Sequence, residues 1–78
     1  LKELGLANNR LRRLPNLGAL RQLSLLTVFG NKLEEIGAWL GDLHGLCKLD
    51  LSDNQLTELP PAALSLPNLQ LLNLRGNR

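Results

Sequence analysis

The sequence predicts an α/β solenoid, in which short parallel strands stack on one side and helical, 3₁₀ or irregular segments return the chain on the other. Two observations predict this fold class: one apolar pattern recurs four times, and leucine supplies 24 of the 78 residues. Stacked repeats bury equivalent faces against one another, so one branched side chain can serve in every equivalent position. Phe29 and Trp39 are the only aromatic residues, which argues against a globular core of mixed shapes.

The repeated pattern is Leu-x-x-Leu-x-Leu-x-x-Asn-x-Leu, with Val28 in the sixth position of the second copy. The copies begin at Leu1, Leu23, Leu46 and Leu69, which are 22, 23 and 23 residues apart. A period of this length is typical of solenoid repeats. We therefore expect one repeat segment over 1–78, divided into repeats 1–22, 23–45 and 46–68 and a truncated repeat 69–78.

The first half of each repeat alternates core and exposed residues, as around Leu4-Gly5-Leu6. This two-residue period predicts a short β-strand. Parallel strands need a crossover connection between them, and the second half of each repeat supplies one. The residues expected to point into the core from the strand side are Leu4 and Leu6, Leu26 and Val28, Leu49 and Leu51, and Leu72 and Leu74.

In the second half of each repeat the apolar spacing changes to three or four residues, which predicts a helical or 3₁₀ return. Strands repeat about every 4.8 Å, whereas helical segments pack at wider spacing, so the stack should bend with its strands on a concave face. The apolar residues of the returns are Leu14, Leu17 and Leu20; Ile36, Leu40 and Leu43; and Leu59, Ala63 and Leu66.

The four copies resemble the leucine-rich repeat family over the whole chain, and Leu14-Pro15 and Leu59-Pro60 are similar to the second half of its typical 23-residue class. Ile36-Gly37 departs from the Leu-Pro pattern. The resemblance implies a horseshoe-shaped solenoid. It also implies similarity to the intracellular Ras-binding group, with its scribble- and erbin-type arrays, whose members assemble signalling complexes.

The ends of the sequence predict an excerpt from a longer array, lacking both caps. The chain opens on a core leucine, and Arg78 stands one residue before the next core leucine is due. Terminal repeats of solenoids need a polar outer face, and neither end of this sequence shows one.

An asparagine occupies the ninth position of every repeat, forming a ladder of Asn9, Asn31, Asn54 and Asn77. A row of amides could bind a ligand. We instead interpret the ladder as structural, because an amide in this turn can satisfy backbone groups that would otherwise be buried and unpaired.

Binding residues are expected at the positions that the repeat leaves free, namely the third, fifth, seventh, eighth and tenth. Phe29 is the sharpest candidate, because its register points it outward on the predicted concave face and exposed aromatic residues are favoured interface anchors. The alternative is that Phe29 folds sideways and only packs against its neighbours. The candidate protein-binding residues are Leu25, Thr27 and Phe29; Lys48, Asp50 and Ser52; and Leu71, Asn73 and Arg75.

No motif predicts catalysis, a cofactor or a metal. His44 has no second histidine or cysteine at ligand spacing, and structural metal sites need about four ligands. The sequence has no glycine-rich phosphate loop and no nucleophile elbow. No apolar run approaches the roughly 20 residues that a membrane span requires. We therefore expect neither an enzyme nor a membrane-spanning segment within these residues.

Nucleic acid is a disfavoured partner. The formal net charge is only +2, and Glu34, Glu35 and Glu58 interrupt the basic flank. Aromatic side chains that could stack on bases are also lacking. The residues of the basic flank are Arg10, Arg12, Arg13, Lys32, Arg75 and Arg78.

The sequence therefore predicts a protein–protein interaction module that recognises a partner on its concave face, as part of a signalling scaffold. Two alternatives are the ligand-binding repeats of an extracellular receptor and the substrate-recruiting arm of an enzyme whose catalytic domain lies elsewhere. A passive spacer is a third. Cys47 is the only cysteine and no Asn-x-Ser/Thr site is present, which favours a cytoplasmic location over an extracellular one.

Overall fold

Four short strands form one parallel sheet in the computed structural model, which describes residues 2–78. The sheet order is β1-β2-β3-β4, so each return joins neighbouring strands. Leu1, the first position of the first repeat, lies outside the described residues. The strands are β1 (Glu3–Gly5), β2 (Leu25–Thr27), β3 (Lys48–Asp50) and β4 (Leu71–Asn73).

The strands pair in the register of the repeat. Leu4, Leu26, Leu49 and Leu72, all at the fourth position, are cross-strand partners. Each is the middle residue of its strand, and Leu26 and Leu49 are fully buried while their strand neighbours are not. The prediction of stacked parallel strands with a two-residue period is thereby confirmed.

The core is a column of leucines between the strands and the returns. Val28 and Leu51, at the sixth position, are completely buried, and so are Leu40 and Leu43 on the return side. The apolar residues predicted for the second and third returns are buried or half-buried against this column.

Two of the returns contain a 3₁₀ helix, Ala38–Asp42 and Pro61–Ser65. Proline opens the second of these helices, where its fixed φ suits the first helical turn. The first return has turns and no helix. It is one residue shorter, and its Gly18 N–H donates to the Asn16 side-chain oxygen at 2.8 Å, a local bond that competes with helical pairing. Among residues 2–78 no α-helix is present.

The departure at Ile36-Gly37 has a steric cause. A Cβ built on Gly37 would lie 2.5 Å from Cδ1 and 2.6 Å from Nε1 of Trp39. The indole therefore occupies the space that a side chain at position 37 would need. Trp39 is half-buried and packs against the leucine core.

The eighth position, which the sequence suggested was free for binding, is instead fixed by the backbone. Its residues adopt left-handed conformations, with φ of 58° at Asn8, 74° at Gly30, 55° at Asp53 and 73° at Gly76. Glycine, asparagine and aspartate tolerate this region better than other residues. The eighth position therefore belongs to the frame.

Candidate protein-binding face

The predicted binding residues lie on three adjacent strands and on the two residues that follow each strand, and pairing between neighbouring repeats arranges them in rows. We call the surface formed by the third, fifth and seventh positions the sheet face. Each row crosses the strands, and the first two rows follow directly from the register. The third row is Leu25, Lys48 and Leu71; the fifth row is Thr27, Asp50 and Asn73; the seventh row is Phe29, Ser52 and Arg75.

The third row presents an exposed cation between two leucines. Lys48 is exposed, and Leu71 is 53% exposed. Leu25 is half-buried. This row therefore offers apolar, cationic and apolar groups in sequence across β2, β3 and β4.

Two side chains of the fifth row accept hydrogen bonds from residues two positions further along the chain. Oδ1 of Asp50 accepts hydrogen bonds from the Ser52 amide at 3.0 Å and from the Ser52 hydroxyl at 2.6 Å. Oδ1 of Asn73 accepts one from the Arg75 amide at 3.1 Å. Both side chains thus lean towards the seventh row, and Oδ1 of Asp50 accepts from two donors.

In the seventh row, one residue is more buried than the sequence predicted. Ser52 was expected to be outward and free, but it is 8% exposed, because its hydroxyl turns back to Asp50. Arg75 is exposed. Phe29 is half-buried and is not among the side chains that pack against the leucine core.

Two surface depressions were not apparent from the sequence. One of about 420 Å³ lies at the end of β3 and β4 and is lined by Ser52, Asp53, Asn73, Arg75 and Gly76. It continues the sheet face. The other, about 390 Å³, is apolar and lies away from that face. Its lining includes Leu56, Leu59, Leu64 and Leu74; the sequence signal for it is Leu64, an extra leucine outside the return spacing.

The asparagine ladder lies directly beneath the sheet face and connects the repeats. Nδ2 of Asn54 donates to the carbonyls of Val28 at 3.1 Å, Leu51 at 3.1 Å and Ser52 at 3.0 Å, while its Oδ1 accepts from the Leu33 amide at 3.1 Å.

The other members of the ladder follow the same arrangement. Asn31 and Asn77 each accept from the eleventh-position amide of the preceding repeat and donate to its sixth-position carbonyl. Asn9 is exposed and bonds to Leu6 and Ala7 of its own repeat. The ladder amides are thus occupied by the backbone.

Few charges on this surface are paired. Among residues 2–78 the one ion pair within 4.0 Å joins Arg13 Nε and Glu35 Oε1 at 3.7 Å, and both side chains are largely exposed. Lys48 and Arg75 therefore lack an ion-pair partner within the part of the chain that the structure describes. Over the same residues, no three His, Cys, Asp or Glu side chains group as metal ligands. No helix of residues 2–78 is long and apolar enough to cross a membrane.

Comparison with known proteins finds one family. A family model described as "Leucine rich repeat" matches residues 36–78. Over its full length the chain is 36% identical to the flightless-1 homolog of Caenorhabditis elegans and 40% identical to leucine-rich repeats and immunoglobulin-like domains protein 3 of Homo sapiens. Over 95% of its length it is 43% identical to the geranylgeranyl transferase type-2 subunit alpha of Bos taurus.

The chain spans 6%, 7% and 13% of these three relatives, respectively. Their names differ in kind, so what they share with this chain is the repeat.

Proposed function

Because this chain belongs to the leucine-rich repeat family, we propose that it is a protein–protein interaction module whose partner binds the sheet face. The observation that supports this proposal is the contrast between the two sides of each strand. The buried side carries leucine at every fourth and sixth position except Val28, whereas the sheet face changes from strand to strand and exposes Lys48, Leu71 and Arg75.

The mechanism is preorganisation. Side chains borne by strands in a fixed register lose little freedom on binding, and affinity comes from a few well-placed anchors. Phe29 supplies an aromatic anchor, and Leu25 and Leu71 supply apolar contacts. Lys48 and Arg75, which have no ion-pair partner in residues 2–78, supply charge complementarity and raise the association rate.

At a finer level, we propose that the sheet forms the concave face of a horseshoe and that the module works as a scaffold in cytoplasmic signalling. The scaffold role follows from the resemblance to scribble- and erbin-type arrays that the Leu-Pro pattern at Leu14-Pro15 and Leu59-Pro60 implies. The single unpaired Cys47 and the absence of an Asn-x-Ser/Thr site support the cytoplasmic location. An extracellular receptor and the recruiting arm of an enzyme remain the competing functions.

Affinity capture tests the proposal. The chain would be immobilised and exposed separately to cytosolic and secreted fractions, alongside a double variant, Phe29→Glu with Arg75→Glu. A control pair, Leu64→Glu with Arg21→Glu, places the same changes on exposed residues away from the sheet face. We expect the native chain and the control pair to capture the same protein, and the sheet-face pair to lose it.

The fraction that yields the partner distinguishes the scaffold from the receptor. Capture from the secreted fraction alone would replace the cytoplasmic proposal with the extracellular one. Capture that survives the sheet-face pair, with folding checked by circular dichroism, would place the binding surface elsewhere. Absence of capture by all three proteins, from either fraction, would favour a passive spacer.

A further inference from the structure

We use the word groove for the band of the sheet face that crosses β2, β3 and β4, between the third and the seventh rows. Its middle is the fifth row, where Asp50 and Asn73 are folded towards the backbone by the hydrogen bonds from Ser52 and Arg75. Its flanks are the third row, with exposed Lys48, and the seventh row, with exposed Arg75.

The width of this groove matches an α-helix. The third and seventh rows are four residues apart along the chain, which is about 13 Å for extended backbone at about 3.3 Å per residue. An α-helix with its side chains is about 10–12 Å across. A helix laid across the strands therefore sits over the fifth row and contacts both flanks.

The spacing along the groove also favours a helix over an extended chain. The side chains of one row repeat about every 4.8 Å, the distance between strands. A helix presents one side chain per turn of about 5.4 Å, whereas an extended segment presents one every 6.6 Å or so. Across three strands the mismatch is about 1.2 Å for a helix and about 3.6 Å for an extended segment. Changes of side-chain rotamer can compensate for the smaller mismatch of the helix but not for the larger mismatch of the extended segment.

The charged residues of the groove determine which side chains the partner helix should present to it. The hydrogen bonds from Ser52 turn the Asp50 side chain towards the seventh row, away from Lys48, and the exposed cations of the three rows are Lys48 and Arg75. Asp53 lies beside Arg75 at the end of the groove and disfavours an acidic group there. An acidic side chain is therefore best placed against Lys48, between the apolar side chains of Leu25 and Leu71.

On the strength of the proposed function, we propose that the partner presents an amphipathic α-helix that lies across β2, β3 and β4. On successive turns it carries an apolar, an acidic and an apolar side chain, which meet Leu25, Lys48 and Leu71. Phe29 on the opposite flank contacts the helix from the side.

A designed probe tests this inference directly. The probe is a fluorescent peptide of about 15 residues with leucine, glutamate and leucine at i, i+4 and i+7, stapled because isolated helices of that length are marginal in water. A second peptide has lysine in place of the glutamate. A third has the same three side chains but contains central prolines and no staple, so it cannot form a helix.

Binding would be measured by fluorescence anisotropy against the native chain and two variants. We expect Lys48→Glu to raise the Kd of the glutamate peptide at least tenfold and to bind the lysine peptide instead. Lys32→Glu, a change at an exposed lysine outside the three rows, should alter Kd less than twofold. The proline peptide should bind at least tenfold more weakly than the stapled one.

Three outcomes overturn the inference: equal binding of the proline and stapled peptides, no effect of Lys48→Glu, or no binding of any peptide. The affinity capture described above separates this failure from failure of the proposed function. If capture depends on Phe29 and Arg75 while the helical probe fails, only the helix is wrong. If capture is also indifferent to those residues, the binding face itself is wrong.

Discussion

Asn54 shows why one residue type occupies the ninth position of every repeat in this chain. Its amide donates to three carbonyls and accepts from the Leu33 amide, and the side chain is 6% exposed. A carboxylate has no donor, and a hydroxyl is too short and has only one. Only an amide of this length meets both requirements in one buried turn.

Replacing Asn54 should therefore be costly. Asn54→Ala leaves several buried backbone groups unpaired, and we expect the free energy of unfolding to fall by about 3 kcal/mol. The control is Asn9→Ala, at the same repeat position but exposed and with two hydrogen bonds. Urea denaturation followed by circular dichroism measures both. Equal losses for the two variants would contradict a role for burial in the ladder.

The eighth position shows a second constraint, between neighbouring repeats. A Cβ built on Gly30 would collide with Oδ1 of Asn8, and one on Gly76 would collide with Oδ1 of Asp53. The side chain of one repeat thus covers the backbone of the next. Glycine is required at positions 30 and 76, in the repeats that follow Asn8 and Asp53, both because φ is positive there and because a side chain would collide.

We predict that Gly30→Ala destabilises the chain by about 2 kcal/mol, because the left-handed conformation costs an alanine roughly 1–2 kcal/mol and Asn8 must also move. Adding Asn8→Gly removes the collision but not the backbone strain, so it should restore part of the loss. Gly5→Ala is the matched control, since its Cβ would meet only Thr27 Cγ2 at 3.8 Å. Thermal unfolding compares the four proteins; a loss as large for Gly5→Ala as for Gly30→Ala would refute the steric argument.

At the scale of elements, the two 3₁₀ helices pack closely at one small contact. A Cβ on Gly41, in Ala38–Asp42, would lie 2.6 Å from Cβ of Ala62 in Pro61–Ser65. Glycine at this point lets the two returns approach. At this distance there is room for one methyl group between the two helices, and Ala62 supplies it.

A swap of that methyl group tests this packing. Gly41→Ala alone should overpack the contact and lower stability by about 1–3 kcal/mol. The double variant Gly41→Ala with Ala62→Gly places the methyl on the opposite helix and should recover most of that loss. A double-mutant cycle from denaturation curves gives the coupling, and purely additive effects would show that the two helices do not press on each other.

The strands and most of the returns could be predicted because their apolar residues recur at regular spacings in the sequence. Leucine at the fourth and sixth positions specified which side of each strand is buried, and Leu40 and Leu43 specified the second return. The turn at Gly18 could not be predicted from apolar spacing, because a side-chain bond from Asn16 decides it. The fit of Trp39 over Gly37 likewise depends on three-dimensional packing.

The rows of the candidate site were predictable to the same extent and for the same reason. Register alone places Lys48 between Leu25 and Leu71. The burial of Ser52 was not predictable, because it follows from the orientation of the Asp50 carboxylate. The eighth position did carry a signal: Asn8, Gly30, Asp53 and Gly76 are all residue types that tolerate positive φ.

At the scale of the whole molecule, each repeat is joined to the next by strand pairing, by the leucine core and by the asparagine ladder. Leu49, in the middle of β3, is completely buried between the flanking repeats. In such a stack, stability resides in the contacts between nearest neighbours as well as in each repeat. The array should therefore unfold as one unit.

We expect a single cooperative transition, in which Trp39 fluorescence and far-ultraviolet circular dichroism give the same midpoint. Leu49→Ala should lower stability by about 3 kcal/mol and shift both signals together, although Trp39 lies on the return side. The measurement is urea denaturation with both probes on the same samples. Separate midpoints would mean that the repeats unfold independently.

The direction of the ladder has a consequence for the order in which the chain is made. The Leu11 amide donates to Asn31, the Leu33 amide to Asn54 and the Leu56 amide to Asn77. Each repeat therefore completes its hydrogen bonds only after the next repeat has been synthesised. On a ribosome that adds about 5–20 residues per second, the delay is roughly one to five seconds per repeat. During translation the most recently folded repeat therefore has an unpaired backbone amide and an uncovered core face. We expect chaperones to bind the nascent chain at that repeat.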